Sequence, residues 1–243
     1  MTNKFYAPGA KRGARVGDLF ATIAPRYDLI NDLQSFGLHR LWKRRLVRLA
    51  GASPARDALD LCCGTGDVAF ALARRGVKAV GLDFSEPMLQ VAMRRRQNDR
   101  SNPRISGVQF VRGDALHVPF PDRCFDLVTI SYGLRNLADL DAGMAEILRV
   151  LRPGGRFLSL EFGKPDNPAW RWFYFGYLKH FVPVLGRWFC GDSETHSYIL
   201  ESLTHFPDQH EVASRLRNTG FQNVEVIHLL AGIMGIHVAQ KPG

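Results

Sequence analysis

The chain has 243 residues, of which 46% are hydrophobic and 23% charged, and this composition excludes a wholly disordered protein. It carries 32 lysines and arginines against 23 acidic residues, a net charge of +9. Eleven of the basic residues but only three acids lie in residues 1–56. The excess positive charge therefore belongs to the N-terminal segment, and the remainder is nearly neutral.

The sequence predicts neither a membrane span nor a metal site. It contains no run of about 18 apolar residues, and its start lacks the apolar stretch of a secretory signal. The four cysteines are too few for a disulfide scaffold. Neither they nor the eight histidines have a spacing typical of zinc ligands. We expect a reduced, cytoplasmic protein without a metal.

Residues 1–56 predict a basic, helical N-terminal lid. Apolar residues recur at helical spacing over 16–23 and again over 38–49, and Pro25 separates the two stretches. In the second stretch, basic residues occupy the other faces. This pattern fits a helix packed on the domain with a solvated polar face. It also fits a basic surface that contacts anionic lipid or nucleic acid.

Residues 57–163 alternate strands with helices. We predict strands at 58–61, 77–82, 108–111, 125–131 and 156–162. The predicted helices are 68–75, 86–96 and 140–151, the last closed by Pro153-Gly154-Gly155. Strands joined by helices pair in parallel with right-handed crossovers, which predicts an α/β, Rossmann-like, doubly wound sheet. Ligands of such sheets bind beyond the carboxyl ends of the strands.

Residues 164–243 predict an aromatic-rich insertion and a closing unit. Nine aromatic residues lie between positions 170 and 189, and they indicate an apolar groove, a membrane-touching surface or ordinary core packing. A helix at 209–218 precedes strands at 224–230 and 233–239. These two strands would complete a seven-stranded sheet as an antiparallel pair. Without a linker, we expect one domain over 1–243, with the lid at 1–56, a cofactor-binding core at 57–163, the insertion at 164–206 and the closing unit at 207–243.

The strongest motif is the glycine loop after the first predicted strand, where Gly64-Thr65-Gly66 lies between Asp60 and Asp67. Its glycine spacing also matches a dinucleotide fingerprint. A pyrophosphate at a helix N-terminus is disfavoured by nearby carboxylates, because like charges a few ångströms apart repel. S-adenosylmethionine carries a sulfonium and no phosphate, so the loop favours that cofactor.

Polar residues follow the next strands at equivalent positions. Asp83 at the second strand end could accept both ribose hydroxyls, and Asp114 at the third could accept from the adenine amino group. The Ala115 backbone N–H could donate to a ring nitrogen, and Ser131 would lie beneath the cofactor. A single Asp at a strand end is commonly a helix cap. Three of them at the ends of successive strands, Asp60, Asp83 and Asp114, favour a binding site. The predicted cofactor-binding residues are Gly64, Thr65, Gly66, Asp83, Asp114, Ala115 and Ser131.

Several segments resemble the ubiquinone/menaquinone C-methyltransferase family within the class I S-adenosylmethionine-dependent methyltransferases. They are 27–32, 35–43, 131–137, 151–155, 160–162, 202–209 and 232–237. The likeness covers nearly the whole chain. Two departures are the Cys62-Cys63 pair, where small residues are familiar, and Tyr132, where Phe is familiar.

The resemblance implies C-methylation of a prenylated hydroquinone, with S-adenosyl-L-methionine converted to S-adenosyl-L-homocysteine. Demethylmenaquinol is the expected substrate, and 2-polyprenyl-6-methoxy-1,4-benzoquinol is the alternative. Arg135 and Asn136 are candidates for orienting and stabilising the quinol oxygen, although Arg135 could instead form a surface ion pair. Tyr27 and Asp28, and also His39, are candidate bases from the lid.

Rival interpretations remain open at this point. The basic charge also suits an RNA or tRNA methyltransferase, but no NPPY-like motif and no Pro-Cys dipeptide is present. A non-enzymatic cofactor-binding protein is a further alternative. We expect transient contact with an anionic membrane at its inner face and no nucleic-acid partner, and a homodimer is left open.

Overall fold

The fold of this chain begins with the helices of the lid. A computed structural model describes residues 11–51, 56–99, 102–184 and 194–243. The three helices are α1 (Lys11–Ile23), α2 (Tyr27–Ser35) and α3 (Leu38–Leu49). A 3-10 turn over Ala24–Arg26, containing Pro25, joins the first two. The helices predicted in this segment are therefore observed, whereas residues 1–10 and 52–55 lie outside the described part. That the segment acts as a lid stays a prediction.

A seven-stranded sheet follows, in the order β3-β2-β1-β4-β5-β7-β6. The strands β1 to β5 pair in parallel, and β7 runs antiparallel to both β5 and β6. This confirms the predicted doubly wound α/β sheet with its closing antiparallel pair. The strands are β1 (Asp57–Leu61), β2 (Lys78–Asp83), β3 (Gln109–Arg112), β4 (Phe125–Ser131), β5 (Leu151–Phe162), β6 (Gln222–Leu229) and β7 (Met234–Gln240).

Helices cover the sheet, and most agree with the predicted positions. They are α4 (Asp67–Ala73), α5 (Glu86–Asn98), α6 (Pro103–Ser106), α7 (Leu140–Val150), α8 (Pro168–Gly176), α9 (Glu194–His205) and α10 (Gln209–Thr219). A π-helical turn over Tyr177–Phe181 continues α8. Part of the aromatic stretch, residues 185–189, lies outside the described residues.

The end of α7 differs from the sequence prediction. The helix ends at Val150, and Leu151 is already extended and pairs with Phe125 of β4. The register then shifts so that Leu127 pairs with Arg156, which leaves the Pro153-Gly154-Gly155 segment as an irregularity within β5. The glycines thus do not close the helix. They accommodate the additional residues of a bulge-like irregularity in β5, where Gly154 has a positive φ of 74°.

The two largest apolar clusters among the described residues pack on opposite faces of the sheet. Because side chains alternate along a strand, Ala58 joins the cluster that contains α4, whereas Leu59 and Leu61 join the cluster that contains α7. The strand ends then open on one edge, beneath the lid. No helix among the described residues is long and apolar enough to span a membrane.

Gly66 lies where the glycine loop turns into α4. Its φ is +86°, in the left-handed region that favours glycine, and a Cβ there would stand 2.9 Å from ring atoms of both Phe70 and Phe110. These two rings pack edge to face with centroids 5.5 Å apart. The position therefore requires glycine for its backbone conformation and for its packing.

We predict that Gly66→Ala lowers the free energy of unfolding by roughly 1–3 kcal/mol, through overpacking and an unfavourable φ. The matched control is Gly176→Ala, since Gly176 has helical φ and ψ and open space at its Cβ position. That change should stabilise the protein by about 0.5–1 kcal/mol. Urea unfolding of both variants measures the difference, and equal effects would contradict this account of the loop.

Candidate active site

A cavity of about 340 Å³ lies at the carboxyl ends of the parallel strands. We name it the strand-end cavity. Its floor includes Asp83 and Ser131, which end β2 and β4, and Gly64 and Asp114, which lie just after β1 and β3. Ala115 lines it beside Asp114. The lid covers it through α1 and through Tyr27 at the start of α2. The parallel sheet thus brings together most of the predicted cofactor-binding residues.

Asp83 is held by backbone groups on two sides. Gly64 N–H donates to its Oδ2 at 2.7 Å, and Ser85 N–H donates to its Oδ1 at 2.8 Å. Burial raises the pKa of the Asp83 carboxyl, and these backbone hydrogen bonds oppose the shift. The carboxylate is therefore fixed in orientation at the cavity wall, where its remaining lone pairs can accept from hydroxyl groups of a ligand.

The rest of the strand-end cavity suits a ligand with positive charge. Asp114 lines it and accepts from the backbone N–H of Leu116 at 2.9 Å. The Ser131 hydroxyl is buried and has no hydrogen-bond partner among the described residues. The described lining contains carboxylates but no Lys, Arg or His. Two carboxylates and an unused hydroxyl fit the ribose, amine and sulfonium groups of S-adenosylmethionine, and a diphosphate would meet repulsion.

Asp60 and Asp67, which the sequence argument placed beside the ligand, have other partners. Asp60 is buried beneath the loop, where its carboxylate accepts from the Thr129 hydroxyl at 2.7 Å and from the Ala69 N–H at 3.1 Å. Asp67 pairs with Lys43 and Arg95. Neither lines the strand-end cavity. The electrostatic case for the cofactor therefore rests on Asp83 and Asp114 instead.

An ion-pair network ties the lid to the core. Lys43 of α3 contacts Asp67 at 2.8 Å, and Arg95 of α5 contacts Asp67 at 2.7 Å and Asp28 at 3.1 Å. The Thr65 hydroxyl donates to Asp28 at 2.9 Å. We name these five residues the lid network. Two of the predicted site residues, Asp28 and Thr65, belong to this network. They line neither the strand-end cavity nor the apolar cavity described next.

The apolar cavity has a volume of about 210 Å³ and lies between α2, α3 and the aromatic insertion. Aromatic and aliphatic side chains dominate its wall, among them Trp42, Phe162, Phe173 and Tyr174. A third cavity of about 40 Å³ shares Tyr27 with the strand-end cavity and Phe162 with the apolar cavity. The aromatic insertion therefore builds a groove, as one of the sequence interpretations predicted.

Tyr132 contributes to the walls of all three cavities. It follows β4 with a φ of +62°, an unusual conformation for a bulky residue. Its ring packs against Phe162 with centroids 5.4 Å apart, and its hydroxyl is buried without a partner among the described residues. Burial raises its pKa well above the ordinary tyrosine value. Tyr132 is thus a neutral wall between two spaces of different chemistry.

Arg135 is buried rather than exposed, contrary to the surface alternative. It pairs with Glu161 of β5 at 2.5 Å, and its Nη1 also donates to the Tyr132 carbonyl at 3.0 Å. The guanidinium lies over the Phe162 ring at 4.7 Å. Glu161, which is 1% exposed, is a site residue that the sequence analysis did not assign. A carboxylate in an apolar strand is the signal that could have identified it, since a buried charge requires a partner.

Asn136 and Tyr27 line the strand-end cavity beside this turn. The Asn136 amide donates to the Tyr132 carbonyl at 3.0 Å and accepts from the Tyr198 hydroxyl at 2.9 Å. Burial raises the pKa of Tyr27 despite the nearby charges of Lys43 and Arg135. The structure thus brings Tyr27, Arg135 and Asn136 together around Tyr132.

The described residues contain one cluster able to hold a metal, formed by the exposed side chains of Asp166, His210 and His228. None of the three lines the strand-end or the apolar cavity. The expectation that the reaction uses no metal stays a prediction.

The buried Asp60 predicts a specific dependence of stability on pH. Burial raises its pKa to about 7, whereas an Asp in an unfolded chain titrates near 3.9. A raised folded pKa stabilises the protein below the unfolded value, and this stabilisation is lost as pH rises through the folded value. We compare the wild type with Asp60→Asn, which does not titrate there. The free energy of unfolding of the wild type minus that of the variant should fall from pH 4 to 7 and then level off.

Urea unfolding at a series of pH values measures this difference. The variant Asp114→Asn, which removes an exposed carboxyl group at another strand end, serves as the control. A wild-type minus Asp60→Asn difference that stays constant over pH 4–7 would show that Asp60 is ionised throughout.

Comparisons with known proteins identify the family. Residues 9–241 match the model of the ubiE/COQ5 methyltransferase family. The ubiquinone/menaquinone biosynthesis C-methyltransferase UbiE of Ectopseudomonas mendocina is 39% identical, over 97% of this chain and 92% of the relative. The demethylmenaquinone methyltransferase of Desulfitobacterium hafniense is 37% identical, over 96% and 92%.

Solved structures support the fold. An S-adenosylmethionine-dependent methyltransferase from Thermotoga maritima superimposes with a TM-score of 0.66 and 17% identity, over 92% of this chain and 98% of that one. At this identity the likeness concerns the fold alone, while the family match concerns sequence over nearly the whole length. The resemblance seen in the sequence is confirmed: the chain belongs to the ubiE/COQ5 family and is an S-adenosylmethionine-dependent methyltransferase.

Proposed function

We propose that this enzyme methylates a ring carbon of a prenylated hydroquinone in respiratory quinone biosynthesis, converting demethylmenaquinol to menaquinol. The observation that carries the proposal is the meeting of two unlike cavities at Tyr132. One has carboxylates and suits the methyl donor, and the other is apolar and suits a prenylated ring. The relatives named for demethylmenaquinone and for ubiquinone/menaquinone biosynthesis support this substrate class.

The strand-end cavity would hold the methyl donor through four strand ends. In this proposal Asp83 accepts from the ribose hydroxyls, Asp114 accepts from the adenine amino group, and the Ala115 N–H donates to a ring nitrogen. The unpartnered Ser131 hydroxyl would complete the contacts. Gly64 lacks a Cβ, so a ligand could approach its backbone closely, and its φ of +55° lies in the left-handed region that favours glycine. When bound, the donor supplies an electrophilic methyl group on a sulfonium.

The apolar cavity would hold the hydroquinone ring. A hydroquinone carries two hydroxyl groups on an apolar ring, and it needs polar partners as well as apolar walls. The hydroxyls of Tyr132 and Tyr174 are both buried in the wall and without partners among the described residues. In this proposal each tyrosine hydroxyl forms one hydrogen bond with a hydroxyl group of the ring, as donor or as acceptor. Tyr132 serves the oxygen nearer the methyl donor, because it alone of the two lines the strand-end cavity.

The turn after β4 would shape the reacting space. An aromatic carbon becomes a good nucleophile only when the neighbouring hydroxyl, which titrates near 10 in water, loses its proton. Arg135 supports the phenolate electrostatically, but Glu161 neutralises much of its charge. We therefore assign Arg135 and Asn136 mainly to positioning Tyr132 through its carbonyl. Tyr27 closes the space from the lid and excludes water.

Aromatic residues at the mouth of the apolar cavity would receive the prenyl chain. Phe36 and Phe173 line the cavity and are 72% and 57% exposed, and Trp172 beside them is 80% exposed. The Phe36 ring stacks on Phe181, with centroids 6.5 Å apart. An exposed apolar patch of this kind is typical of an interaction surface. We name Phe36, Trp172, Phe173 and Phe181 the aromatic patch.

We propose that the aromatic patch touches an anionic membrane at its inner face. Exposed arginines of α3, namely Arg44, Arg45 and Arg48, belong to the same lid that supplies Phe36. Each cation near an anionic leaflet gains about 1 kcal/mol. This arrangement supports transient, salt-sensitive binding, through which a membrane-dissolved quinol could enter the cavity. A homodimer, a cytoplasmic location and the absence of a nucleic-acid partner stay predictions.

We predict that the purified enzyme transfers a labelled methyl group from S-adenosylmethionine to demethylmenaquinol. Asp83→Asn should weaken cofactor binding about tenfold or more, since it removes a charged acceptor in a buried site. Calorimetry and a labelled-methyl assay measure the two effects. Asp122→Asn is the control, because this exposed carboxylate pairs with Arg149 outside the cavity. Faster transfer to a methoxy-benzoquinol would assign the ubiquinone substrate, and transfer to tRNA alone would contradict the proposal.

We predict that the protein floats with phosphatidylglycerol vesicles at low salt and dissociates at high salt. Trp172→Ser and the double change Arg44→Ala, Arg48→Ala should each reduce the bound fraction severalfold. Arg217→Ala is the matched control, since Arg217 is exposed on α10. Wild-type protein that stays unbound at low salt, or that binds phosphatidylcholine equally well, would refute the electrostatic part of the proposal.

A further inference from the structure

His39 lies in the wall of the apolar cavity and is 2% exposed. It stands in the first turn of α3, where its backbone N–H donates to the Ser35 hydroxyl. Its two ring nitrogens differ in their surroundings. Nε2 lies 2.8 Å from Oδ1 of Asp32, while Nδ1 is buried and has no partner among the described residues.

The partner of Nε2 determines the tautomer. Asp32 is also bound by Arg40 at 2.7 and 2.6 Å, and hydrogen bonds from this guanidinium lower the pKa of Asp32 to about 2. An ionised carboxylate can only accept, so Nε2 of His39 must carry the proton. Nδ1 of the neutral ring then carries an unshared lone pair, and His39 lies in the wall of the apolar cavity. An imidazole oriented by a carboxylate through one nitrogen, with the other nitrogen free, is the arrangement of a general base.

The other candidate bases are less suitable. Asp28 is bound by Arg95 and Thr65 outside both cavities. Tyr27 would have to ionise first, and burial raises its pKa. Arg135 stays protonated. Of the lid residues predicted as bases, His39 alone combines a place in the apolar cavity with a free, unprotonated nitrogen.

We propose that His39 is the general base of the reaction and that Asp32 is its positioning residue, an inference that rests on the proposed hydroquinone substrate. The ring hydroxyl gives its proton to Nδ1 of His39, and the oxygen electron pair moves into the ring. The ring carbon forms its bond to the methyl group as the methyl–sulfur bond breaks, and sulfur keeps that electron pair. The carbon then loses its hydrogen to water, while the oxygen recovers the proton from His39, so one proton is released in total.

The charges around His39 favour its neutral form. Burial lowers its pKa, and so does Lys43 one turn along α3, while Asp32 of α2 and Asp67 of α4 oppose the shift. Arg40 faces Asp32 rather than the imidazole. The base is therefore unprotonated at neutral pH, and activity should decline only below about pH 6.5, the ordinary histidine value.

The test compares His39→Gln and Asp32→Asn with wild type in the methyl-transfer assay between pH 5.5 and 10. Loss of a general base costs about 10²-fold or more in kcat, so we expect that loss for His39→Gln at pH 7, with a smaller loss for Asp32→Asn. As pH approaches 10 the quinol ionises without help, and the deficit of His39→Gln should shrink. His210→Gln, an exposed histidine outside the two cavities, is the control and should match wild type.

A second readout does not depend on turnover. NMR of ¹⁵N-histidine-labelled protein reports the tautomer of His39, which should be Nε2–H in wild type and a mixture in Asp32→Asn. A deficit that is constant from pH 7 to 10, or a protonated Nδ1 at pH 7, overturns the assignment. If wild type methylates no hydroquinone, the proposed function fails. If it does and His39→Gln keeps kcat within about threefold, only the base assignment fails.

Discussion

The buried pair of Arg135 and Glu161 is the interaction on which the arrangement of the site depends. It joins the turn after β4 to the end of β5, and it fixes the carbonyl of Tyr132 through the same guanidinium. Removing one member of a buried pair leaves an uncompensated charge, at a cost of about 3–5 kcal/mol. The pair therefore determines where Tyr132 stands, and Tyr132 separates the strand-end cavity from the apolar cavity.

The lid supplies what the sheet cannot. Strand ends provide carboxylates for a polar ligand, but an apolar cavity needs walls on the other side, and α2, α3 and the aromatic insertion provide them. The lid network holds these helices to the core through Lys43, Arg95 and two carboxylates. The Arg95–Asp28 pair is partly exposed and contributes modestly to stability, whereas Lys43 is buried and depends on Asp67 to balance its charge. The lid is therefore held to the core mainly through Lys43.

Much of the fold could be predicted from the sequence because its signals are local. The alternation of strands and helices indicates the sheet. The glycine loop and the acids at the strand ends indicate where Asp83 and Asp114 lie. The irregularity within β5 could not be predicted, because Pro153-Gly154-Gly155 terminates helices as readily as it interrupts strands, and only pairing with β4 decides between them.

The site was less predictable, because partners distant in sequence decide what each side chain does. Asp28 and Thr65 lie in the predicted motifs, yet Asp28 forms an ion pair with Arg95 of α5 and accepts a hydrogen bond from Thr65, outside both cavities. Arg135 was predicted to orient the quinol oxygen, with a surface ion pair as the alternative, whereas its partner Glu161, 26 positions further on, holds it in the core. His39 was one of several candidate bases by sequence, and only the structure shows that Asp32 binds its Nε2 and that it lies in the wall of the apolar cavity.

We propose that the methyl donor and the hydroquinone ring occupy the two cavities that meet at Tyr132. A crystal structure with S-adenosylhomocysteine and a prenylated naphthol tests it most directly. We expect the adenosine at Asp83 and Asp114, the ring in the apolar cavity between Tyr132 and Tyr174, and the sulfur facing the ring. A naphthol bound outside the apolar cavity, or a nucleoside bound away from the strand ends, would contradict it.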